Sequence, residues 1–243
     1  MSKHKAVIWG AGRIGAGYKW IDTPYIYCHA DTYLALKDRV ELLGFVEPDP
    51  ERAEAARKKY GLSVWTEVPD VEFDIASVCT PPSERLKVFN DLIAAGVKGI
   101  YCEKPYGMRF IPPVYTQINF IRRGERIHRS LEEISVGHLT VWAKKDIHTA
   151  CHFADLARFW GLNKSQLTYN AIDGPNHYEW EYESATPLNP NTKIAFIGGG
   201  LTPGFMEFML GNLLDAVEGK AKLVSPASSA IESEEWANEI LES

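Results

Sequence analysis

The apolar positions of the first hundred residues fall in short runs separated by amphipathic stretches. "KAVIWG" (5–10), "ELLGFVE" (41–47), "DIASVCT" (74–80) and "GIYC" (99–102) are four such runs, and each predicts a buried strand. Between them, "HADTYLAL" (29–36), "PERAEAARKKY" (50–60) and "SERLKVFNDLIAAG" (83–96) predict helices. The second helix has Pro50 near its start and Gly61 just after its end, the expected order of start and stop signals. Ser83 is the expected N-cap of the third, and Gly96 closes it. Strands alternating with helices of this length imply right-handed crossovers and a parallel sheet covered on both faces.

The pattern changes after Gly107. "VYTQINF" (114–120) predicts one more strand, and "GERIHRSLEEI" (124–134) and "HTACHFADLARFWG" (148–161) predict helices. "SQLTYNAI", "HYEWEYESAT" and "TKIAFIGG", within 165–199, alternate or run apolar with turn residues between them, and predict antiparallel strands. Helices over 205–219 and 228–243 close the chain. The expected architecture is an α/β Rossmann domain with a parallel sheet over 1–107. A smaller α+β domain with a mostly antiparallel open sheet follows over 108–243, its last helix packing back on the first domain.

Composition narrows the function. The 243 residues are 45% apolar and 24% charged, ordinary globular values, and the formal charge of −6 gives no general attraction for nucleic acid or anionic membrane. The opening "MSKHKAVIWG" is too short and polar for a signal peptide, and no apolar run approaches the roughly 20 residues of a membrane span, so a cytoplasmic location is expected. Cys28, Cys79, Cys102 and Cys151 show no C-x-x-C spacing, which suits reduced thiols and not a structural zinc site.

"VIWGAGRIGAG" carries Gly10-x-Gly12-x-x-Gly15 directly after the first strand. In that setting Gly10 makes a tight turn and Gly12 admits a pyrophosphate close to the backbone. Gly15 permits close helix–sheet packing, and the N–H groups of the helix start, which Arg13 and Ile14 open, hold the phosphate charge. The same glycines also suit a turn that holds no nucleotide. Glu47 ends the second strand, where a carboxylate accepts hydrogen bonds from the adenosine ribose and repels a 2′-phosphate. It follows Gly15 by 32 residues instead of about 20, an excess that reads as an insertion at "YKWIDTPYIYC". The expected cofactor is NAD, with NADP second because Arg13 also reaches a phosphate.

Two strand-end turns complete the picture: Thr80-Pro81-Pro82 and Glu103-Lys104-Pro105. Together with the glycine loop and the ending "LGNLLDAVEGKAKLVSPASSAIESEEWANEILES", they resemble the Gfo/Idh/MocA family of NAD(P)-dependent oxidoreductases over nearly the whole chain. The stretches "GAGRIGAGY", "HADTYLAL" and "INFIRR" further resemble a branch associated with surface-polysaccharide sugar metabolism. The resemblance implies hydride transfer between nicotinamide and a CH–OH carbon of a sugar, nucleotide sugar or cyclic polyol. It implies that Thr80, Pro81, Pro82 and Glu103 border the cofactor. It also implies that Lys104, aimed by a cis peptide at Pro105, handles the hydroxyl proton. His152 aligns with the family's catalytic His, Asp155 with an acid one turn later, and His148 with the position of its Asp. Arg122 and Arg123 match a basic pair beside the substrate, and a homodimer or higher assembly is implied. No metal is expected, although His148, His152 and Asp155 have a spacing that also suits zinc. The chain departs from the family in lacking a helix after Glu-Lys-Pro, in a second half that looks short, and in carrying Arg85 where relatives have His. A derived NAD(H)-binding protein without turnover is the alternative reading.

Overall fold

The run of apolar residues that starts the chain folds as β1 (His4–Trp9), with Ala6 to Trp9 wholly inside. In this computed structural model the residues described are 3–19, 26–120, 136–143, 145–171, 179–184, 193–197 and 204–242. The first unit comprises Met1–Asn119 and Met206–Ala227. After β1 it runs through α1 (Arg13–Ala16), α2 (His29–Ala35), β2 (Val40–Val46) and α3 (Pro50–Tyr60). It continues through β3 (Ser63–Trp65), β4 (Ile75–Val78), α4 (Pro82–Ala94), β5 (Gly99–Cys102) and β6 (Tyr115–Ile118). All neighbouring strands pair in parallel, in the order β3-β2-β1-β4-β5-β6. The order reverses between β1 and β4, which opens a crevice above their carboxyl ends.

The local signals explain the boundaries. α3 starts where the Asp49 side chain accepts the Arg52 N–H at 2.9 Å with Pro50 behind it, and stops at Gly61 in the left-handed region. Ser83 is not the cap of α4. The helix begins one residue earlier, with Pro81 at the N-cap and Pro82 at the first helical position, where a missing N–H costs nothing.

The first unit extends past the expected boundary at Gly107 because β6 completes its sheet. It also recruits a late segment. α6 (Phe205–Val217) packs along β5, close enough that a Cβ on Gly99 would lie 2.9 Å from Val217 Cγ2. Arg39 pairs with Asp215 at 2.8 Å and Glu218 at 3.0 Å, and Gln117 donates to Asn212 at 3.2 Å. The penultimate helix thus belongs to the first unit.

The second unit comprises Phe120–Phe205 and Ser228–Ser243. Its sheet contains β7 (Val136–Ala143), β8 (Leu167–Ala171), β9 (Glu179–Ser184) and β10 (Lys193–Ile197). Their order is β10-β9-β7-β8, antiparallel except for β7 with β8. α5 (Ile147–Phe159) starts at the cap Asp146, which accepts the Thr149 N–H at 2.8 Å, and packs Phe153, Leu156 and Ala157 against Leu139, Val141 and Ala143. The final helix, α7 (Ala227–Glu242), joins this unit: Arg158 donates to Ser229 O at 2.8 Å, and Lys164 pairs with Glu239. The helix predicted over 124–134 lies outside the described residues.

Candidate functional site

The loop after β1 turns at Gly10, whose φ is +92°. A Cβ there would lie 3.2 Å from the Cys79 carbonyl group, so the loop passes directly against the end of β4. Gly15 is forced more strongly: a Cβ would sit 1.9 Å from Gly10 O. Its purpose is to bring α1 down onto the Gly10 turn, with the Cys79 side chain 3.4 Å from the Cβ position. Gly12 is the opposite case. Nothing comes closer to its Cβ position than Arg52 Nη1 at 4.0 Å, so the chain leaves room beside its backbone. The helix that follows is a single turn, ending at Gly17 in the left-handed region. Arg13 is exposed and Ile14 half-buried.

Glu47 ties this loop to the neighbouring strand. It is only 3% exposed, and its two oxygens accept backbone N–H groups from Ala11 at 2.8 Å and Asp49 at 3.0 Å. The expected ribose contact therefore shares the carboxylate with a loop-bracing role that sequence spacing did not show. Arg52, also unforeseen, places Nη1 3.9 Å from Glu47 Oε2.

A dinucleotide suits this arrangement on two observations, room for its pyrophosphate in the glycine loop and a polar group at the strand-end turn beyond it. The space beside Gly12 is one that any Cβ would fill, and Thr80 Oγ1, next to Gly10, is buried without a hydrogen-bond partner among the described residues.

The second strand-end turn is braced from inside. Glu103 is buried, and its Oε1 accepts from His29 Nε2 at 3.0 Å and from the Asn119 amide. The His29 ring is fully buried, bonds Ser77 Oγ at 2.8 Å through Nδ1, and lies 4.4 Å from the Tyr101 ring. Tyr33 OH reaches the same Ser77 hydroxyl at 2.9 Å, and Tyr101 OH donates to Asn119 at 2.8 Å. Burial raises the Glu103 carboxyl, but the His29 and Asn119 hydrogen bonds and the Lys104 charge outweigh it and hold the group below its usual range. Burial, reinforced by the Glu103 charge, pushes the Cys79 thiol and the Tyr101 hydroxyl up. Lys104 follows, half-buried, and the Lys104–Pro105 peptide is cis, as the resemblance implied.

In the second unit His148, His152 and Asp155 share α5 but not one environment. His148 is exposed. His152 is 8% exposed, with its ring edge-on to Phe120 at 5.9 Å. Asp155 is wholly buried and accepts from Ser233 Oγ at 3.0 Å. The carboxylate thereby fastens α7 to α5. Arg122 and Arg123 lie outside the described residues. Among the described residues no group of three His, Cys, Asp or Glu side chains converges in a way that would hold a metal ion, and no helix is long and apolar enough to cross a membrane.

Residue Arg85 was expected only as a departure from the family pattern. Its Nε donates to Thr80 O at 3.1 Å, and Nη1 donates to the carbonyls of Pro105 and Tyr106. A sequence signal did exist, because Arg85 falls on the same helical stripe as the buried Val88, Phe89 and Leu92.

Solved structures share the fold. A UDP-N-acetylglucosamine 3-dehydrogenase, GnnA, from Acidithiobacillus ferrooxidans superposes with a TM-score of 0.74 at 15% identity, covering 99% of this chain and 97% of its own. A myo-inositol 2-dehydrogenase from Lactobacillus plantarum gives 0.73 at 14%, covering 99% and 97%. A dehydrogenase (MviM) from Clostridium difficile gives 0.72 at 12%, covering 99% of both chains. The second half, expected to be short, is thus aligned along nearly the whole of these chains. No curated protein sequence matches at a significant level. The model of the Gfo/Idh/MocA oxidoreductase family, described as an NAD-binding Rossmann fold, matches residues 5–110. That span contains the glycine loop, the 3-2-1-4-5 run of strands and the Glu-Lys-Pro turn, and over it the chain is similar to the Gfo/Idh/MocA oxidoreductases.

Proposed function

We propose that the protein is an NAD-dependent dehydrogenase acting on a CH–OH group of a sugar, nucleotide sugar or cyclic polyol. The observation that carries the reading is the joined geometry of the Gly12 loop, Glu47 and Thr80 at the strand-order reversal, with Lys104 at the end of the adjacent β5. Backbone N–H groups around Gly12 hold the pyrophosphate, and Glu47 takes the adenosine ribose hydroxyls with its remaining lone pairs. When bound, the nicotinamide supplies hydride exchange with the substrate carbon. Lys104 takes up or returns the hydroxyl proton. His152, which the resemblance implies for the proton step, has its ring edge-on to Phe120. The names of GnnA and the myo-inositol dehydrogenase support a carbohydrate-like substrate, and the surface-polysaccharide branch makes nucleotide sugars the first class to screen. A homodimer or higher assembly is the proposed solution state.

The test is titration with NADH and with NADPH, read by energy transfer from the seven tryptophans, followed by a turnover screen. Saturable binding with NADH preferred is expected. Lys104→Met should lower turnover about 10²- to 10⁴-fold with NADH affinity little changed. Full activity in that variant refutes the assignment.

A further inference from the structure

We infer that Arg85 is a positioning residue that locks the two strand-end turns of the first unit in one register, presetting them for the nicotinamide half of the dinucleotide. The inference rests on the reading of this unit as an NAD(H) site.

Arg85 stands in the first turn of α4 and is 2% exposed, although α4 presents an otherwise apolar stripe at that point. A guanidinium is kept in such a place only if its donors are satisfied. Here one side chain spans two separate turns: Nε reaches Thr80 O at 3.1 Å, and Nη1 reaches Pro105 O and, at 3.3 Å, Tyr106 O. Three carbonyls from two chain segments are thereby fixed to one rigid plane. Only a planar fork of donors does this; an ammonium is a single point on a flexible stem, and an imidazole has two ring nitrogens.

The second turn is gripped from its other flank as well. Glu103 is held by His29 and Asn119, and Tyr106 OH donates to Phe110 O at 3.0 Å. The turns also touch: a Cβ on Gly107 would lie 2.8 Å from Pro82 Cβ. The parts so fixed are the ones that border the nicotinamide in the proposed site, Thr80 with its unpartnered buried hydroxyl and Lys104. The glycine loop and Glu47, which serve the adenosine and phosphates, have no bond to Arg85 among those described. Arg85 should therefore govern one half of the ligand and not the other.

Two probes separate the halves. NADH carries the nicotinamide; ADP-ribose lacks it. Both are titrated into the wild type, Arg85→Lys and Arg85→Leu, with thermal melts in parallel. Arg85→Lys is expected to weaken NADH about tenfold or more, the equivalent of losing one charge-assisted hydrogen bond, and to leave ADP-ribose within about twofold. Arg85→Leu, which completes the apolar stripe, should give the same split, and Arg85→Lys decides the matter if the leucine variant does not fold. Equal weakening of both ligands with a lowered melt assigns Arg85 to packing alone and overturns the inference. So does unchanged binding of both. A wild type that binds neither ligand overturns the NAD(H) reading and this inference with it, whereas a wild type that binds both without the split in the variants overturns this inference only.

Discussion

Replacing Glu47 with glutamine tests whether one carboxylate braces the phosphate loop. The wild-type group offers two oxygens to two backbone donors, Ala11 N–H at 2.8 Å and Asp49 N–H at 3.0 Å. A glutamine offers one oxygen and one NH₂, so one backbone donor must face another donor. The charge-assisted bond lost is worth about 1.5–3 kcal/mol, and a buried N–H left unsatisfied adds about 1–3 kcal/mol. The amide should turn its oxygen to Ala11, whose hydrogen bond is the buried one, and leave Asp49, which lies nearer to solvent. Water then relieves the second penalty, and a loss near the lower end, about 2 kcal/mol, is expected. The Arg52 pair at 3.9 Å changes little, because that guanidinium is about half-exposed and contributes less than about 1 kcal/mol. Glu51→Gln is the control: its carboxylate is exposed beside Tyr18 and Lys19, and a change under about 0.5 kcal/mol is expected. Urea unfolding followed by tryptophan fluorescence gives the midpoints, and amide exchange at Ala11 reports the loop directly. Coincident midpoints for Glu47→Gln and wild type, with Ala11 protection unchanged, would refute the bracing role.

His29→Leu leaves the buried Glu103 carboxylate with the Asn119 amide as its remaining side-chain donor among those described, and should cost about 3–5 kcal/mol of stability in the same urea assay; a loss below about 1 kcal/mol would show that the pair is not formed. Acid stability follows from Glu218, whose carboxyl is drawn down to about 2 by the Lys220 and Arg39 hydrogen bonds. Its folded value lies below the unfolded one, so its contribution is complete above the ordinary range near 4.5 and fades as pH falls through about 2. Asp74 is lowered too: burial opposes the shift, but His4 and Lys98 overcome it. The Glu218→Gln variant should therefore show a flatter dependence of urea midpoint on pH between about 5 and 2.5, and parallel curves would contradict the pairing.

The first sheet was legible because each of its inner strands is a short apolar run closed by a turn signal. β3 escaped because Ser63-Val64-Trp65 is three residues at an edge, too short for a period to show. β7 escaped for another reason. It buries Leu139, Val141 and Ala143 with Thr140 between them, a clean alternation, but Gly137 interrupts its start and no turn residue marks its end. At the site, the glycine loop and Glu47 were read from their place at strand ends, which is a local signal, whereas Thr80 and Lys104 were read from the resemblance of the two strand-end turns to a family. The His29–Glu103 pair joins residues 74 apart, and no local pattern announces it. Arg85 was misjudged because it was compared with a family pattern and not with its own stripe. The domain boundary failed in the same way: a segment 100 residues downstream completes the first unit, and only tertiary packing reveals it.

That late segment bears on biosynthesis. When residue 119 leaves the ribosome, six parallel strands can pair, yet the flank at Gly99, Arg39 and Gln117 still lacks the helix that covers it. The missing piece is made only after the chain has laid down most of the second unit. The strands of the first unit are thus translated well before the helix that covers them, and the uncovered flank waits through some 86 further residues, counted from Phe120 to Phe205. A fragment cut after the Rossmann strands would carry that uncovered flank permanently, whereas the first 119 residues rejoined to residues 206–227 would have it covered.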